Sequence, residues 1–188
     1  MTSKGLSIAL AAGLIGLAGC EGANQSATAS DGAEAVKEAG DKTIAASLDA
    51  KGRFLTLAKS AGLDATLAGP GPYTVFVPDD AAFDGLPEGT AEGWATPEAR
   101  PEVTRTLSYH ILPGTVLAAD IGKAIDEGDG KATLATMGGG TLTATREGEK
   151  IILTDGSGSK STITKADETL ANGVVHRVDR VLMPAAEG

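Results

Sequence analysis

Cysteine occurs once in these 188 residues, at Cys20, and histidine twice, at His110 and His176. One cysteine makes no internal disulfide, and two isolated histidines provide no ligand cluster for a zinc site. Aromatic residues are equally sparse: Phe54, Phe76, Phe83, Tyr73, Tyr109 and Trp94 are the full set. Basic residues are in deficit, 16 Lys and Arg against 25 Asp and Glu, for a formal net charge of −9. That balance argues against nucleic acid as a partner and against adsorption to anionic lipid through the protein surface. The charges are dispersed rather than gathered in single-sign runs, as on a solvated surface. Nothing in this composition calls for a cofactor or a metal. Asp79, Asp80 and Asp84 are close in sequence, but they lack the glycine turn and distal glutamate of an EF-hand loop.

What is present begins with a targeting signal. Lys4 is the only charge before Glu21, and Leu6–Ala18 is uncharged and rich in Leu, Ile and Ala. This is a positive n-region followed by an apolar h-region. It falls short of the roughly 18 residues of a membrane span, which favours a signal peptide over a transmembrane helix. Leu17-Ala18-Gly19-Cys20 then resembles a bacterial lipobox, in which the cysteine becomes the first mature residue and carries acyl chains. Residues 1–19 are therefore expected to be a lipoprotein signal peptide, with Cys20 lipidated and the protein anchored on the periplasmic or cell-surface face of a membrane. Multiple acyl chains exceed the two signals that stable anchoring needs. Residues 20–42 contain Val36 as their only large apolar side chain, too little to offset ordering entropy, and are expected to form a disordered linker.

From Thr43 onward the chain changes character. Thr43 is placed to cap a short helix containing Ile44 and Leu48, and a second helix after Gly52 buries Phe54, Leu55, Leu57, Ala58 and Ala61 before Gly62 stops it. Tyr73–Val77 has the composition of a strand ended by Pro78. Asp79 stands where the next helix needs an N-cap, Asp80 adds negative charge to its first turn, and Phe83 continues it. Val103, Leu107, His110 and Ile111 fall on one helical face after Pro97 and Pro101. A short helix is expected around Ile121–Ile125. Then come Thr-rich runs between glycine clusters, at 133–136, 141–145, 150–154 and 161–164, read as short antiparallel strands. The last and longest strand is expected over 173–183, with Asn172-Gly173 supplying its turn. Period-two alternation makes His176 semi-buried and pairs Arg177 with Asp179 in solvent. Both Val181 and Leu182 are apolar, which breaks the alternation and predicts a bulge or burial on both faces. Helices gathered early and strands gathered late predict an α+β domain.

Three segments recur in a known order: Thr74–Phe83, Tyr109–Gly114 and Asn172–Pro184. Together they resemble the fasciclin domain, over about Thr43 to Pro184, leaving residues 185–188 as a C-terminal tail. The resemblance implies a β-sandwich or wedge core with N-terminal helices packed against it. It also implies a non-enzymatic role in cell adhesion or in surface and matrix interaction, with an unidentified surface protein or polysaccharide as partner. The family usually has Thr where this chain has Asp79, which weakens partner contact through a hydroxyl there. The Tyr109-His110 pair lies in the neighbourhood associated with integrin binding in animal members. It is a candidate contact, although His110 shares a face with core residues. Trp94, in a loop between helices, is a further candidate contact or else a lid on the core. An alternative implied by some family members is a carrier of a carotenoid or other extended apolar ligand.

Enzymatic signatures fail on context. Ser157-Gly158-Ser159-Lys160 fits a Ser-x-x-Lys spacing, but it sits in a Gly-rich hairpin rather than at a helix start. Ser108 and His110 leave a hydrolase triad open by composition alone, yet both histidines have structural roles available.

Overall fold

A computed structural model describes residues 40–185. Cys20, the signal sequence, residues 20–39 of the expected linker and residues 186–188 of the tail lie outside these described residues. Gly40 already bridges Leu170, and the Lys42 carbonyl accepts the Ala171 N–H at 2.9 Å, so chain assigned to the linker begins to pair with the domain there.

The first half is helical. Helix α1, Ile44–Ser47, is capped as expected, the Thr43 hydroxyl accepting the Ala46 N–H at 3.3 Å. Helix α2, Arg53–Ala61, buries Phe54, Leu55, Ala58 and Ala61, and ends at Gly62 in the left-handed conformation, φ 78°. Its N-terminus is capped from a distance: the Asp80 carboxylate accepts the Arg53 N–H at 2.9 Å. Asp80 opens a 3-10 helix, Asp80–Gly85. Asp79 stands at the cap of that helix but makes no side-chain cap bond; its backbone carbonyl accepts Ala82 N–H instead. Asp80→Ala should therefore cost about 1 kcal/mol, the usual loss of a helix cap. Urea denaturation would measure it, and Asp79→Ala should cost less.

Helices α3, Asp64–Ala68, and α4, Thr90–Gly93, complete this half with α5, Arg100–Tyr109. The α5 boundary corrects the expected periodicity. His110 is the C-cap, and Ile111 already belongs to strand β2, Ile111–Pro113, so Ile111 lies off the helix face assigned to it. Pro113 and Gly114 end the strand rather than the helix.

Among the described residues the sheet has seven strands. β1 is Tyr73–Pro78, and after helix α6, Ala118–Glu127, come β3, Lys131–Ala135, β4, Thr141–Glu147, β5, Lys150–Thr154, β6, Lys160–Leu170, and β7, Gly173–Val178. The spatial order is β2-β1-β7-β6-β5-β4-β3. β1 runs parallel to β7, and every other neighbouring pair is antiparallel. The two ends of the sheet approach each other, since Met137 N–H donates to the Ile111 carbonyl at 2.8 Å. The result is a curled, barrel-like sheet with α1, α2 and α5 against one face and α6 packed into the interior core through Ile121 and Ile125.

Two cores follow from this curl. Val75, Val77 and Val175 face the helices with Phe54, Phe83, Leu107 and Trp94. Phe76 and Val178 face the interior of the curl with Tyr109, Leu142 and Leu153. β1 and β7 are thus covered on both sides; every residue of β7 except Arg177 is buried, and His176, expected to be semi-buried, is fully so. The longest strand is β6 rather than β7. β7 stops at Val178 because Asp179 turns to accept the Thr162 N–H at 2.7 Å and the Ser161 hydroxyl at 3.1 Å. Asp179 is therefore not the solvent partner of Arg177, whose guanidinium lies 4.0 Å from Glu168. Beyond the strand, Val181 joins the helix-side core and Leu182 the interior core, so the broken alternation marks burial on both faces. The register irregularity lies in β6, between Ile163 and Glu168, rather than at 181–182.

Candidate functional site

The three segments that carry the resemblance lie side by side. β1 holds the first, β2 pairs along one edge of β1 and β7 along the other. Their polar residues are tied inward. Asn172 is buried, and its side chain makes three hydrogen bonds: its oxygen accepts Ile44 N–H at 2.7 Å, and its amide donates to the Leu67 and Gly69 carbonyls at 3.0 and 2.8 Å. One residue thus joins α1, α3 and the β6–β7 turn. A Cβ on Gly173, φ 151°, would overlap the Tyr73 carbonyl across the β1–β7 pair, so only glycine permits that approach.

His110 is equally committed. Nδ1–H donates to the Thr106 carbonyl at 2.8 Å, and Nε2 accepts the Leu182 N–H at 3.0 Å, which sets a neutral ring tethering the C-terminal segment to α5. Its ring packs edge to face with Phe54, the two centroids 5.9 Å apart. Desolvation by burial lowers its pKa to about 4, against smaller opposing effects from the Thr106 carbonyl and Asp155. His176 stacks on Phe76, and its Nε2–H donates to the Val116 carbonyl at 2.9 Å while Nδ1 accepts the Asp167 N–H at 3.2 Å. Burial lowers its pKa too, opposed by Val116 and Asp167. The Asp167 carboxylate also accepts Ala118 N–H at 2.8 Å, which joins this node to the start of α6.

Tyr109, His110 and Trp94, the three candidate partner contacts, are therefore not displayed. Tyr109 donates to the Thr141 carbonyl at 2.6 Å, and burial raises its pKa. Trp94 is 3% exposed, and its Nε1–H donates to Glu102 at 3.0 Å, a lid on the helix-side core. Trp94 packs in the helix-side core and Tyr109 in the interior core, and His110 is buried between α5 and the C-terminal segment. The exposed part of the Trp94 loop is Ala95–Glu98. Phe83 is buried in the same core, while Asp79 and Asp80 remain exposed. Among the described residues, no group of three His, Cys, Asp or Glu is placed to hold a metal, and no helix is long and apolar enough to cross a membrane.

Sequence reasoning missed Asp155. Buried in the 155–159 turn, it accepts Ser157 N–H and Ser159 N–H at 2.9 Å through one oxygen and Met183 N–H at 2.8 Å through the other. The Asp-Gly-Ser-Gly-Ser run signals a turn with a side-chain acceptor, but nothing local signals its bond to Met183. Above it lies a groove of about 670 Å³ between the 3-10 helix, α5, the 155–159 turn and the C-terminal segment. Leu86, Pro101, Val181 and Met183 form apolar walls, with Glu102, Arg105 and Arg180 at its margins.

Comparison with known proteins locates the same unit. A family model described as the fasciclin domain matches residues 52–184. Protein sll1483 of Synechocystis sp. is 32% identical over 141 residues, covering 75% of this chain and 71% of that protein. Human Stabilin-1 is 33% identical over 141 residues, covering 75% of this chain but 5% of that much longer protein. Among solved structures, a FAS1 domain pair from the insect cell adhesion molecule fasciclin I superposes with a TM-score of 0.66 at 16% identity, covering 76% of this chain and 51% of that one.

Proposed function

The chain belongs to the fasciclin domain family, and from that premise we propose that it is a non-enzymatic surface-binding module, exported and held on a bacterial membrane by acyl chains on Cys20. Its role is cell adhesion or interaction with cell-surface or matrix material. The observation that carries the non-enzymatic part is the commitment of both histidines: each ring nitrogen within them is hydrogen-bonded to backbone, and both rings are buried. A general base needs reach to a substrate proton, and neither imidazole has it. The fasciclin I pair comes from a protein described as a cell adhesion molecule. Binding of that kind requires exposed segments on a rigid scaffold, and here Ala95–Glu98 and Asp126–Gly130, the latter the end of α6 and the turn after it, are exposed.

Two measurements test this reading. Cys20→Ala should leave an unlipidated protein that is no longer held to the membrane through acyl chains, and mass spectrometry should find acyl mass on Cys20 of the native chain. Cys20 without acyl mass would remove the anchor from the proposal. Beads coated with the Cys20→Ala chain should be retained by host envelope material, and substitutions in the 95–98 or 126–130 loops should reduce that retention. Protease or glycosidase treatment of the envelope would separate a protein partner from a polysaccharide. The carotenoid-carrier alternative has a different signature, visible absorbance that stays with the protein through gel filtration and unaltered retention by both loop variants.

A further inference from the structure

We infer that the groove between α5 and the C-terminal segment binds an amphiphilic monoanion, a medium-chain fatty-acid carboxylate, with its apolar body along Leu86, Val181 and Met183 and its carboxylate at Arg180. This inference stands apart from the surface-binding reading, which depends on other loops.

Size is the first argument. A volume of about 670 Å³ falls within the roughly 300–1,000 Å³ of small-molecule sites, which are mostly apolar with a few placed polar groups. Apolar surface is scarce elsewhere, Met137 being the one exposed large hydrophobic side chain among the described residues.

Charge is the second. Arg180 is exposed, and its guanidinium makes no hydrogen bond or ion pair among the described residues. The adjacent Asp179 carboxylate is held by Thr162 N–H and the Ser161 hydroxyl and acts on Arg180 through its charge alone. Burial alone would raise the Asp179 pKa, yet those hydrogen bonds and Arg180 hold it below the usual carboxylate range. Arg105 is not the binding cation, since it already donates to the Ala185 carbonyl at 2.8 Å. On the helix wall the one carboxylate is Glu102, fixed by Trp94. It disfavours an anion at its own position and so gives the ligand a direction. A guanidinium presents paired N–H donors matched to a carboxylate, which a neutral alcohol does not exploit.

The walls are pre-formed, which lowers the ordering cost of binding. Asp155 fixes the 155–159 turn and Met183 together, and His110 fixes Leu182.

The test uses the full chain carrying Cys20→Ala, so that no acyl chain of its own competes, titrated calorimetrically with decanoate and with decan-1-ol. Decanoate should bind saturably with one-to-one stoichiometry. Arg180→Gln should weaken decanoate by about tenfold while changing decanol by less than about twofold, the effect of losing one hydrogen bond to a charged group. Gly85→Phe should abolish binding of both. Gly85 lines the groove, and a Cβ there meets nothing within 4 Å, so a side chain at this position has room on the groove's lining. Decanoate that fails to saturate overturns the inference. So does decanoate binding unaltered by Arg180→Gln, or a loss that is equal for decanoate and decanol in that variant.

Discussion

Asn172→Asp is expected to destabilise the domain by about 3 kcal/mol or more, from the loss of two buried donors and the desolvation of a carboxylate facing carbonyl oxygens. The Leu67 and Gly69 carbonyls, at 3.0 and 2.8 Å, would then meet acceptors instead of the Asn172 amide. Only the bond from Ile44 N–H would survive. For a domain of this size the melting temperature should fall by about 10 °C. Asn172→Ala should cost less than the aspartate, because it removes the hydrogen bonds without adding charge. Thermal and urea unfolding of both variants would check the order, and a change below about 1 kcal/mol for the aspartate would show that α1 and α3 are held by something else.

Acidification should weaken the fold through His110. Its pKa is lowered from 6.5 to about 4 in the folded protein. A folded-state pKa below the unfolded value means that the unfolded chain takes up the proton first. The stabilisation is therefore complete above pH 6.5 and is lost as pH falls from there through about 4. The full span corresponds to on the order of 3 kcal/mol. Protonating Nε2 also removes the acceptor for Leu182 N–H, so the C-terminal segment should loosen first. His176 contributes in the same direction, its pKa being lowered by burial as well. His110→Ala should cost roughly 1–3 kcal/mol at neutral pH. It should also flatten part of the loss measured between pH 6.5 and 4, leaving the part due to His176. Denaturation midpoints across that range would decide. An unchanged pH profile in the variant would place the acid sensitivity elsewhere.

Local features were legible where short-range chemistry sets them. The Thr43 cap, the Gly62 stop and strand Lys150–Thr154 occur where the sequence places them, because each depends on its immediate neighbours. Lys165, Asp167 and Glu168 interrupt the apolar pattern of β6, so the sequence shows less of that strand than forms. Those residues occupy an irregular stretch that still pairs with β7. The helical periodicity runs on to Ile111, past a C-cap that only the turn into β2 reveals. Asp80 reads locally as the first turn of its own helix, yet it also caps α2, 27 residues earlier in the chain.

The sequence by itself determined the α+β class, the family and the rough positions of most strands. These are written in composition, spacing and turn chemistry, which act over a few residues. Only the tertiary structure decided what is hidden and what is offered. Trp94 and Tyr109 are candidate contacts in the sequence, but their exposure depends on what packs over them in the two cores. The groove likewise draws its walls from Leu86, Pro101, Ser159, Val181 and Met183, residues that share no sequence pattern because they become neighbours only when the sheet curls against the helices.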